Sequence, residues 1–442
     1  MRFVSTRGGN SVSLERALLD GIAADGGLYV PESMPHFSPE DFAGAESLVD
    51  VGRVFLEPFF ADSALAVELD DILGETFHFP IPVTPLSLDG GDAGLLELFH
   101  GPTAAFKDVG AGFLAACLSR LDTGATSPLT ILVATSGDTG GAVAAAFNER
   151  PGIRVAVLYP DGRVSVRQAR QLTCWGDNVL SLAVQGSFDD CQGLVKAAMA
   201  DAAMSEKHRF SSANSINIGR LLPQAIYYAY ASLRHDANTG RNINVVVPTG
   251  NLGNGLACVL ARKAGLPIAD IILATNSNRL VVDYLEGEEW AARDSMETHA
   301  SAMDVGNPSN MERLRNMFGD SEALARILRA VAVDDRAIEQ EIRRTYNESG
   351  AVICPHTATA VHAWRLLDDT ERKSKDWLLV ATAHAAKFET IVEPLIGHEV
   401  ELPQELQRIL ALPSRFTPIA PNLGALRDAL RSGYNGDLSQ AG

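Results

Sequence analysis

The stretch that decides the fold is INVVVPTGNLGNG, residues 243–255, in which a short β-branched run ends in a glycine-rich turn. LTILVATSGDTGG at residues 129–141 and WLLVATAH at residues 377–384 repeat this arrangement, and a helical pattern follows each turn. A strand that runs through a Gly, Ser or Thr cluster into a helix is typical of βα units in a parallel sheet. Because ligands bind outside the carboxyl ends of such strands, we predict a functional site at these three turns.

The rest of the chain continues the alternation of strands and helices. Strands are predicted at residues 153–159, 179–184 and 270–274, and a helix at residues 221–233. Prolines between Pro31 and Pro85 break the first part into short pieces, and a polar stretch at residues 205–209 interrupts the pattern. We therefore expect an α/β fold with three parts: an N-terminal portion at 1–95, a smaller α/β domain at 96–208 and a larger one at 209–442.

Charge and composition argue against several classes of function. The formal net charge of -18 disfavours a nucleic-acid partner, because affinity for a phosphate backbone rests on clustered Lys and Arg. The chain has no apolar run of about 18 residues, and charged residues interrupt the first 29 where a signal peptide needs an apolar core. We expect a cytoplasmic protein without a membrane partner.

The cysteines and histidines show no pattern typical of a metal site. The five cysteines are odd in number, widely spaced and without a C-x-x-C pair, so neither a disulfide framework nor a zinc site is predicted. Among the ten histidines, His356 and His362 come nearest to a cluster. We expect reduced thiols and no metal.

Lys107 stands where a helix is predicted to begin. Apolar residues such as Phe113, Leu114, Cys117 and Leu121 follow it at helical spacing. The positive end of a helix dipole disfavours an ammonium group, and covalent binding of a carbonyl compound requires the deprotonated amine. A solvated lysine in a first helical turn is the alternative, and the position alone does not decide between the two.

The three glycines of residues 250–255 allow successive backbone N–H groups to close around a phosphate without obstruction by Cβ atoms. A structural βα turn and a dinucleotide-binding loop are the alternatives. The order Gly250-x-x-Gly253-x-Gly255 is not G-x-G-x-x-G, and Asp270 begins the next strand instead of following it. Both features weaken the dinucleotide interpretation.

The turn after residue 134 is rich in hydrogen-bond donors. The hydroxyls of Ser136 and Thr139 and the amides of Gly137 and Gly140 suit a carboxylate ligand. A helix cap with a turn is the alternative.

Five segments together resemble the threonine synthases, in particular the branch of enteric bacteria and fungi. They are HGPTAAFKD at 100–108, SGDTG at 136–140, SANSIN at 212–217, GNLG at 250–253 and TAHAAKF at 382–388. STRG at 5–8, DGGLY at 25–29 and AMDV at 302–305 extend the resemblance to nearly the whole chain. Their joint occurrence, in order and at similar spacing, makes the resemblance specific.

The resemblance implies a pyridoxal-phosphate (PLP) dependent carbon–oxygen lyase with the tryptophan synthase β-like fold. That fold, known as fold type II, has two open, twisted, mainly parallel sheets flanked by helices, with the cofactor between them. The implied reaction converts O-phospho-L-homoserine and water into L-threonine and phosphate, the last step of threonine biosynthesis. No partner beyond this small substrate is implied, and we expect a monomer or small homo-oligomer.

The resemblance also implies roles for particular residues. Lys107 carries PLP and serves as the catalytic base, and Thr382 faces the pyridine nitrogen. The PLP phosphate is held by Gly250, Asn251, Leu252, Gly253 and Asn254. We expect the substrate to contact the loop residues Thr135, Ser136, Asp138 and Thr139.

The implied reaction needs a second phosphate site, for the substrate. We favour Arg220 with Asn214 and Ser215, because the helix after Asn217 brings donors and an always-charged guanidinium together. Arg163, after the strand predicted at 153–159, is a second candidate. A surface ion pair is the alternative for either arginine.

Three positions depart from related sequences. Asp138 stands where many relatives of the fold type carry Asn, although the enteric branch shares the Asp. Repulsion from the cofactor phenolate leaves its protonation or its partner open. Leu252 replaces a common Phe, with little expected effect since the loop acts through its backbone, and Ala385 replaces a Pro.

Three alternative functions are compatible with parts of the sequence. A PLP lyase or dehydratase of the same fold would keep Lys107 and the glycine loop but would need no second phosphate site. A nicotinamide oxidoreductase is opposed by the order of the glycines. A non-catalytic metabolite sensor is opposed by the presence of Lys107 together with all five segments.

Overall fold

The N-terminal portion consists of short elements. The computed structural model describes residues 1–121 and 127–434. In chain order the first elements are β1 (Phe3–Ser5), α1 (Leu14–Asp20), β2 (Tyr29–Pro31), α2 (Leu48–Phe60) and α3 (Leu69–Thr76), with 3-10 turns at Pro39–Phe42 and Ala66–Glu68. β1 and β2 pair in antiparallel fashion, and the helices bury one apolar face each.

The middle of the chain alternates strands and helices, as predicted. Its elements are β3 (Val83–Leu88), β4 (Gly91–Glu97), α4 (Lys107–Leu121), β5 (Leu129–Ala134), α5 (Asp138–Phe147), β6 (Ile153–Pro160), α6 (Val166–Thr173), β7 (Val179–Val184), α7 (Phe188–Ala200), α8 (Ala202–Lys207) and β8 (Arg209–Ser212).

The remaining elements complete both sheets. They are α9 (Ile218–Leu221), α10 (Gln224–Thr239), β9 (Ile243–Pro248), α11 (Gly253–Lys263), β10 (Ile268–Thr275), α12 (Leu280–Leu285), α13 (Met311–Phe318), α14 (Ser321–Ala325), β11 (Arg329–Ala332), α15 (Asp335–Ser349), α16 (Pro355–Arg365), α17 (Asp369–Ser374), β12 (Trp377–Ala381), α18 (Glu389–Ile396), α19 (Gln404–Leu410), β13 (Thr417–Ile419) and α20 (Leu423–Ser432), with 3-10 turns at Ser301–Met303 and Ala385–Phe388. Within the described residues, no helix combines the length and apolar character needed to cross a membrane.

Two sheets organise the molecule. The six-stranded sheet has the order β11-β10-β9-β12-β4-β3 and is parallel except for the antiparallel pair of β3 and β4. The five-stranded sheet, of order β13-β7-β6-β5-β8, is parallel throughout. Strands such as β5, β9 and β12 are buried along their whole length, as expected where helices cover both faces of a sheet. The predicted α/β fold with two mainly parallel sheets is confirmed.

The predicted elements agree with the structure to within a few residues. The strands expected at 129–134, 179–184 and 377–381 have these bounds, and the others extend by one to three residues. The helix expected at 221–233 was wrong as a single element, because α9 ends at Leu221 and α10 begins after Pro223. The polar stretch at 205–209 belongs to α8 and β8 and does not interrupt the pattern.

Strand pairing crosses the expected domain boundaries. β3 begins at Val83, within the expected N-terminal portion, yet it pairs in the six-stranded sheet. β8 begins at Arg209 and pairs with β5, and β13 near the end of the chain pairs with β7. The division into 1–95, 96–208 and 209–442 therefore stays a proposal about folding units, while each sheet draws on distant parts of the chain.

A fully buried arginine joins the N-terminal portion to the rest. Arg313 of α13 donates from Nε to the carbonyl oxygen of Tyr29 at 3.0 Å and from Nη2 to that of Ile216 at 2.6 Å. Its Nη1 donates to Oδ1 of Asn310 at 2.6 Å. One side chain thus connects β2, the segment before α9 and the start of α13.

We expect Arg313→Met to lower the free energy of unfolding by about 3 kcal/mol, because three buried acceptors lose their donor and each loss costs about 1 kcal/mol or more. Chemical denaturation followed by circular dichroism measures this change. Arg326→Met, which removes an exposed arginine paired with Glu322, is the matched control and should leave the transition nearly unchanged. Equal effects of the two substitutions would contradict the joining role of Arg313.

Candidate active site

A cavity of about 310 Å³ lies where the turns after β5, β9 and β12 meet. These are the three turns predicted from the sequence. The predicted site residues that line it are Lys107, Thr135, Ser136, Asp138, Thr139, Asn214, Ser215, Arg220, Gly250, Asn251, Leu252, Gly253, Asn254 and Thr382. Arg163 is exposed in the turn after β6 and does not line the cavity, so the structure does not support it as a substrate ligand.

The glycine-rich turn after β9 leads directly into α11. Leu252 precedes the helix with a φ of 63°, and no side chain of the described residues caps the first turn. The helix therefore directs its first backbone N–H groups and the positive end of its dipole at the cavity, which favours an anion there. A leucine in this left-handed conformation costs on the order of 1 kcal/mol, and such strain is typical of ligand-binding loops.

Gly250 and Gly253 are glycines for different reasons. A Cβ atom on Gly250 would lie 2.6 Å from the Cα atom of Met303, so this glycine allows two backbone segments to pack closely. A Cβ atom on Gly253 would have Ser215 Cβ, at 3.7 Å, as its nearest neighbour. Packing against Met303 is thus a further reason for glycine at 250, and the expectation that both glycines serve the approach of a ligand stays a prediction.

Contacts with two other segments, at residue 215 and at residues 309–310, hold this turn. Asn251 Nδ2 donates to Ser215 Oγ, and Asn251 Oδ1 accepts from the amide of Ser309, both at 2.5 Å. Asn310 Nδ2 donates to the carbonyl oxygen of Asn251 at 3.0 Å, and Asn310 is itself held by Arg313. The fold contact made by Arg313 thus extends to the edge of the cavity.

Four buried polar atoms of residues lining the cavity have no hydrogen-bond partner among the described residues. They are Asn214 Oδ1, Arg220 Nε, Thr249 Oγ1 and Asn254 Nδ2. Each unsatisfied buried polar group costs about 1–3 kcal/mol, so native proteins normally pair them. The other side of Asn254 is anchored, since Oδ1 accepts from the hydroxyls of Tyr227 and Tyr228 at 2.6 and 2.8 Å. Unpaired polar groups are thus concentrated in the residues around this cavity.

Lys107 reaches the cavity because the segment before it is hydrogen-bonded to the residues that follow β12. The amide of Phe106 donates to the carbonyl oxygen of Thr382 at 2.8 Å, and the amide of His384 donates to that of Ala104 at 3.0 Å. Burial lowers the pKa of the Lys107 amine to about 8, although the charge of Asp138 opposes this effect. The alternative of a solvated lysine is wrong, since the side chain is only 13% exposed.

A buried carboxylate lies between two buried lysines. Asp138 Oδ1 is 2.8 Å from Lys387 Nζ, and Asp138 Oδ2 is 3.8 Å from Lys107 Nζ. Burial alone would raise the pKa of the Asp138 carboxyl, but the two ammonium charges outweigh burial and hold this pKa well below its usual range. Asp138 is therefore ionised, and Lys387 is its partner.

His356 supports the opposite side of the cavity in its neutral form. Burial lowers the pKa of its imidazole to about 4, and Nε2 accepts from the amide of Ala302 at 3.1 Å. His362, the other histidine of α16, does not join it: His362 Nδ1 lies 3.5 Å from Glu341 Oε2. Among the described residues, no three His, Cys, Asp or Glu side chains converge as a metal-binding group.

The turn after β5 offers fewer free donors than expected. Thr135 Oγ1 accepts from the amides of Gly137 at 3.0 Å and Gly140 at 2.9 Å. These two amides and the Thr135 hydroxyl thus hold the turn itself, which corrects the expectation that the amides bind a carboxylate. Ser136 and Thr139, both half-buried, line the cavity next to them.

Two residues that support the site, Lys387 and Arg313, are absent from the site residues predicted above. Lys387 lies within the segment 382–388. Lys387 could have been suspected because a lysine among apolar neighbours in a segment that follows a buried strand must find a partner.

Comparison with known proteins agrees with this site. Residues 84–383 match the family described as pyridoxal-phosphate dependent enzyme, residues 2–77 match threonine synthase N terminus, and residues 357–430 match threonine synthase, C-terminal. Threonine synthase from Escherichia coli strain K12 is 37% identical over 418 residues, which cover 94% of this chain and 96% of that protein.

Solved structures agree as well. PLP-bound threonine synthase from Brucella melitensis has a TM-score of 0.89 and 32% identity, and the match covers 99% of this chain and all of that one. Threonine synthase from yeast has a TM-score of 0.90 and 27% identity, and the match covers 98% of each chain. The chain therefore belongs to the threonine synthase family of PLP-dependent enzymes.

Proposed function

We propose that this protein converts O-phospho-L-homoserine and water into L-threonine and phosphate as a PLP-dependent carbon–oxygen lyase. The observation that carries the proposal is the cavity that unites a buried amine, Lys107, with two groups suited to phosphate. One is the uncapped start of α11, beside which Ser215 lies, and the other is the buried guanidinium of Arg220. A reaction on a phosphorylated substrate with a phosphorylated cofactor requires two such groups.

The residues present fit PLP. The start of α11, with its left-handed Leu252 and its unobstructed Gly253, suits the cofactor phosphate, and Gly250, Asn251 and Asn254 complete the turn. Lys107 would bind the cofactor covalently, and Thr382 would face the pyridine nitrogen from the end of β12. When bound, PLP withdraws electrons from the α-carbon of the substrate and so weakens the neighbouring C–H bonds.

Lys107 moves the protons of the reaction. With a pKa of about 8, about a tenth of Lys107 Nζ is unprotonated at pH 7, and this fraction can accept the α-proton of the substrate. After loss of a β-proton, the C–O bond at Cγ breaks and phosphate leaves with the bonding electrons. A proton returns to Cγ, water then adds its hydroxyl at Cβ, and a second proton returns to Cα to give threonine.

The substrate phosphate is assigned to Arg220, Asn214 and Ser215. Arg220 is 3% exposed, its Nη1 is fixed by the carbonyl oxygen of Ala213, and its Nε has no partner among the described residues. Burial lowers the pKa of this guanidinium only to about 10, so the group is charged at neutral pH. A fixed cation that lines the cavity suits a phosphate.

The substrate carboxylate is assigned to the turn after β5. Ser136 and Thr139 offer hydroxyls to the cavity, and Thr135 holds the turn through the amides of Gly137 and Gly140. Asp138, as a carboxylate, cannot attract the negative groups of the substrate, so its role is to balance the lysine charges.

The proposal extends to the compartment, the partners and the oligomeric state of the enzyme. We propose a cytoplasmic enzyme without nucleic-acid or membrane partners, working as a monomer or small homo-oligomer. Five free, buried cysteines support a reducing compartment, since disulfides persist in oxidising ones. The net charge of -18 supports the absence of a nucleic-acid partner.

We expect Lys107→Ala to abolish threonine formation while the fold remains, because the variant lacks both the covalent link to PLP and the base. Borohydride reduction of the wild-type protein followed by peptide mapping should place PLP on Lys107. Lys375→Ala, which removes a lysine paired with Asp270 and Glu371 on the surface, is the control and should retain activity. Mapping of PLP to another lysine, or turnover of a few per cent in Lys107→Ala, would refute the assignment.

We expect Gly253→Val to weaken PLP affinity by at least about tenfold, because a branched side chain intrudes where amides approach the phosphate. Equilibrium dialysis measures the affinity, and thermal unfolding without PLP should differ little from wild type. Gly112→Val, at a position of α4 with open space around it, is the matched control. Unchanged affinity in Gly253→Val would move the phosphate site elsewhere.

We expect Arg220→Ala to raise the KM for phosphohomoserine about tenfold to a hundredfold, since hydrogen bonds to charged groups contribute about 1.5 to 3 kcal/mol. The value of kcat should fall too if the contact strengthens as phosphate leaves. Arg163→Ala, outside the cavity, should leave both constants unchanged. Normal kinetics for Arg220→Ala would make this residue structural, and loss of bound PLP would assign it to the cofactor instead.

A further inference from the structure

Lys387 is a buried lysine to which the proposed mechanism gives no role. Its side chain is 1% exposed, in the short 3-10 turn Ala385–Phe388 after β12. Nζ donates to the carbonyl oxygen of Thr103 at 2.7 Å and lies 2.8 Å from Asp138 Oδ1. It does not line the cavity, so it reaches the site only through Asp138.

Asp138 divides its two carboxylate oxygens between two cations. Oδ1 faces Lys387 at hydrogen-bond distance and also accepts from Gln168 Nε2 at 3.4 Å, whereas Oδ2 lies 3.8 Å from Lys107 Nζ. The close partner of the carboxylate is therefore Lys387, and Lys107 is held beyond hydrogen-bond distance.

Other charged or titratable groups around this cluster are few among the described residues. His356 faces Asp138 and both lysines from α16, Arg220 faces Lys107 from α9, and Asp108 of α4 and His384 face Lys387. Asp108 is occupied by Thr103, whose hydroxyl and amide both donate to it, at 2.5 and 2.9 Å. Asp138 is thus the carboxylate within ion-pair distance of Lys107.

We propose that Lys387 is a positioning residue which occupies Asp138 and thereby leaves Lys107 without a full ion-pair partner, so that Lys107 Nζ is available as a free amine. The proposal rests on the role given to Lys107 above. Without Lys387, the buried carboxylate would turn to the one lysine left beside it, and the pairing would hold Lys107 as an ammonium. An ammonium can neither bind a carbonyl carbon nor accept a proton.

The test measures the protonation of Lys107 itself. In the full-length chain freed of cofactor, acetic anhydride labels free amines, and peptide mapping across a pH series gives the labelling midpoint of Lys107. The wild-type midpoint should lie near 8. Circular dichroism verifies that each variant is folded.

Substitutions of Lys387 and of Asp138 should shift the labelling midpoint of Lys107 in opposite directions. Lys387→Met should raise it by about one pH unit or more, because a repulsive charge is lost and Asp138 is released toward Lys107. Asp138→Asn should lower it, because the attractive charge is lost while Lys387 remains. The double variant Lys387→Met with Asp138→Asn should fall between the two single variants.

Lys375→Met, which removes a lysine before β12 that pairs with Asp270 and Glu371, is the matched control and should not move the midpoint. A merely structural role of Lys387 predicts the wild-type midpoint in folded Lys387→Met, and that result would overturn the proposal. Should Lys387→Met fail to fold, the midpoint of folded Lys387→Gln decides in its place: a raised midpoint supports the proposal, and an unchanged one overturns it. A failure of this proposal can be told apart from a failure of the proposed function. If the proposed function is wrong, borohydride mapping finds PLP on a residue other than Lys107, whatever the labelling midpoint of Lys107.

Discussion

A charge can be buried only if an opposite charge or several hydrogen bonds accompany it, and three charges at the centre of this molecule meet that condition together. Asp138 begins α5 after a strand of the five-stranded sheet, whereas Lys107 and Lys387 follow β4 and β12 of the six-stranded sheet. The contacts of Asp138 with the two lysines therefore connect the two sheets at the cavity. It also keeps an amine of lowered pKa where the reaction needs one.

A second set of contacts links the N-terminal portion to the same cavity. Arg313 holds the backbone of β2 and of Ile216 and orients Asn310, which in turn supports the turn at Asn251. The strained Leu252 and the tightly packed Gly250 are tolerated because this scaffold fixes the backbone around them. The geometry of the glycine-rich turn thus depends on three distant segments and not on the turn alone.

Local patterns were sufficient for the parts of the structure that depend on neighbours in sequence. The strand, turn and helix junctions at β5, β9 and β12 were predictable because buried parallel strands are apolar runs and their turns need small polar residues. The order of strands was not, since the pairing of β8 and β13 depends on tertiary contacts. For the same reason the tight packing of Gly250 against Met303 and the partner of Asp138 became visible only in the structure. Arg163 was misjudged because a turn after a strand does not reveal which way its side chain faces.

The central claim is that the C–O bond at Cγ of phosphohomoserine breaks and that water supplies the new hydroxyl at Cβ. Its most direct measurement is the fate of oxygen from water enriched in oxygen-18, followed by mass spectrometry of both products. If the C–O bond breaks, the label appears in the hydroxyl of threonine and not in the released phosphate. Label in the phosphate, with homoserine as the other product, would show that the P–O bond is hydrolysed and would contradict the account.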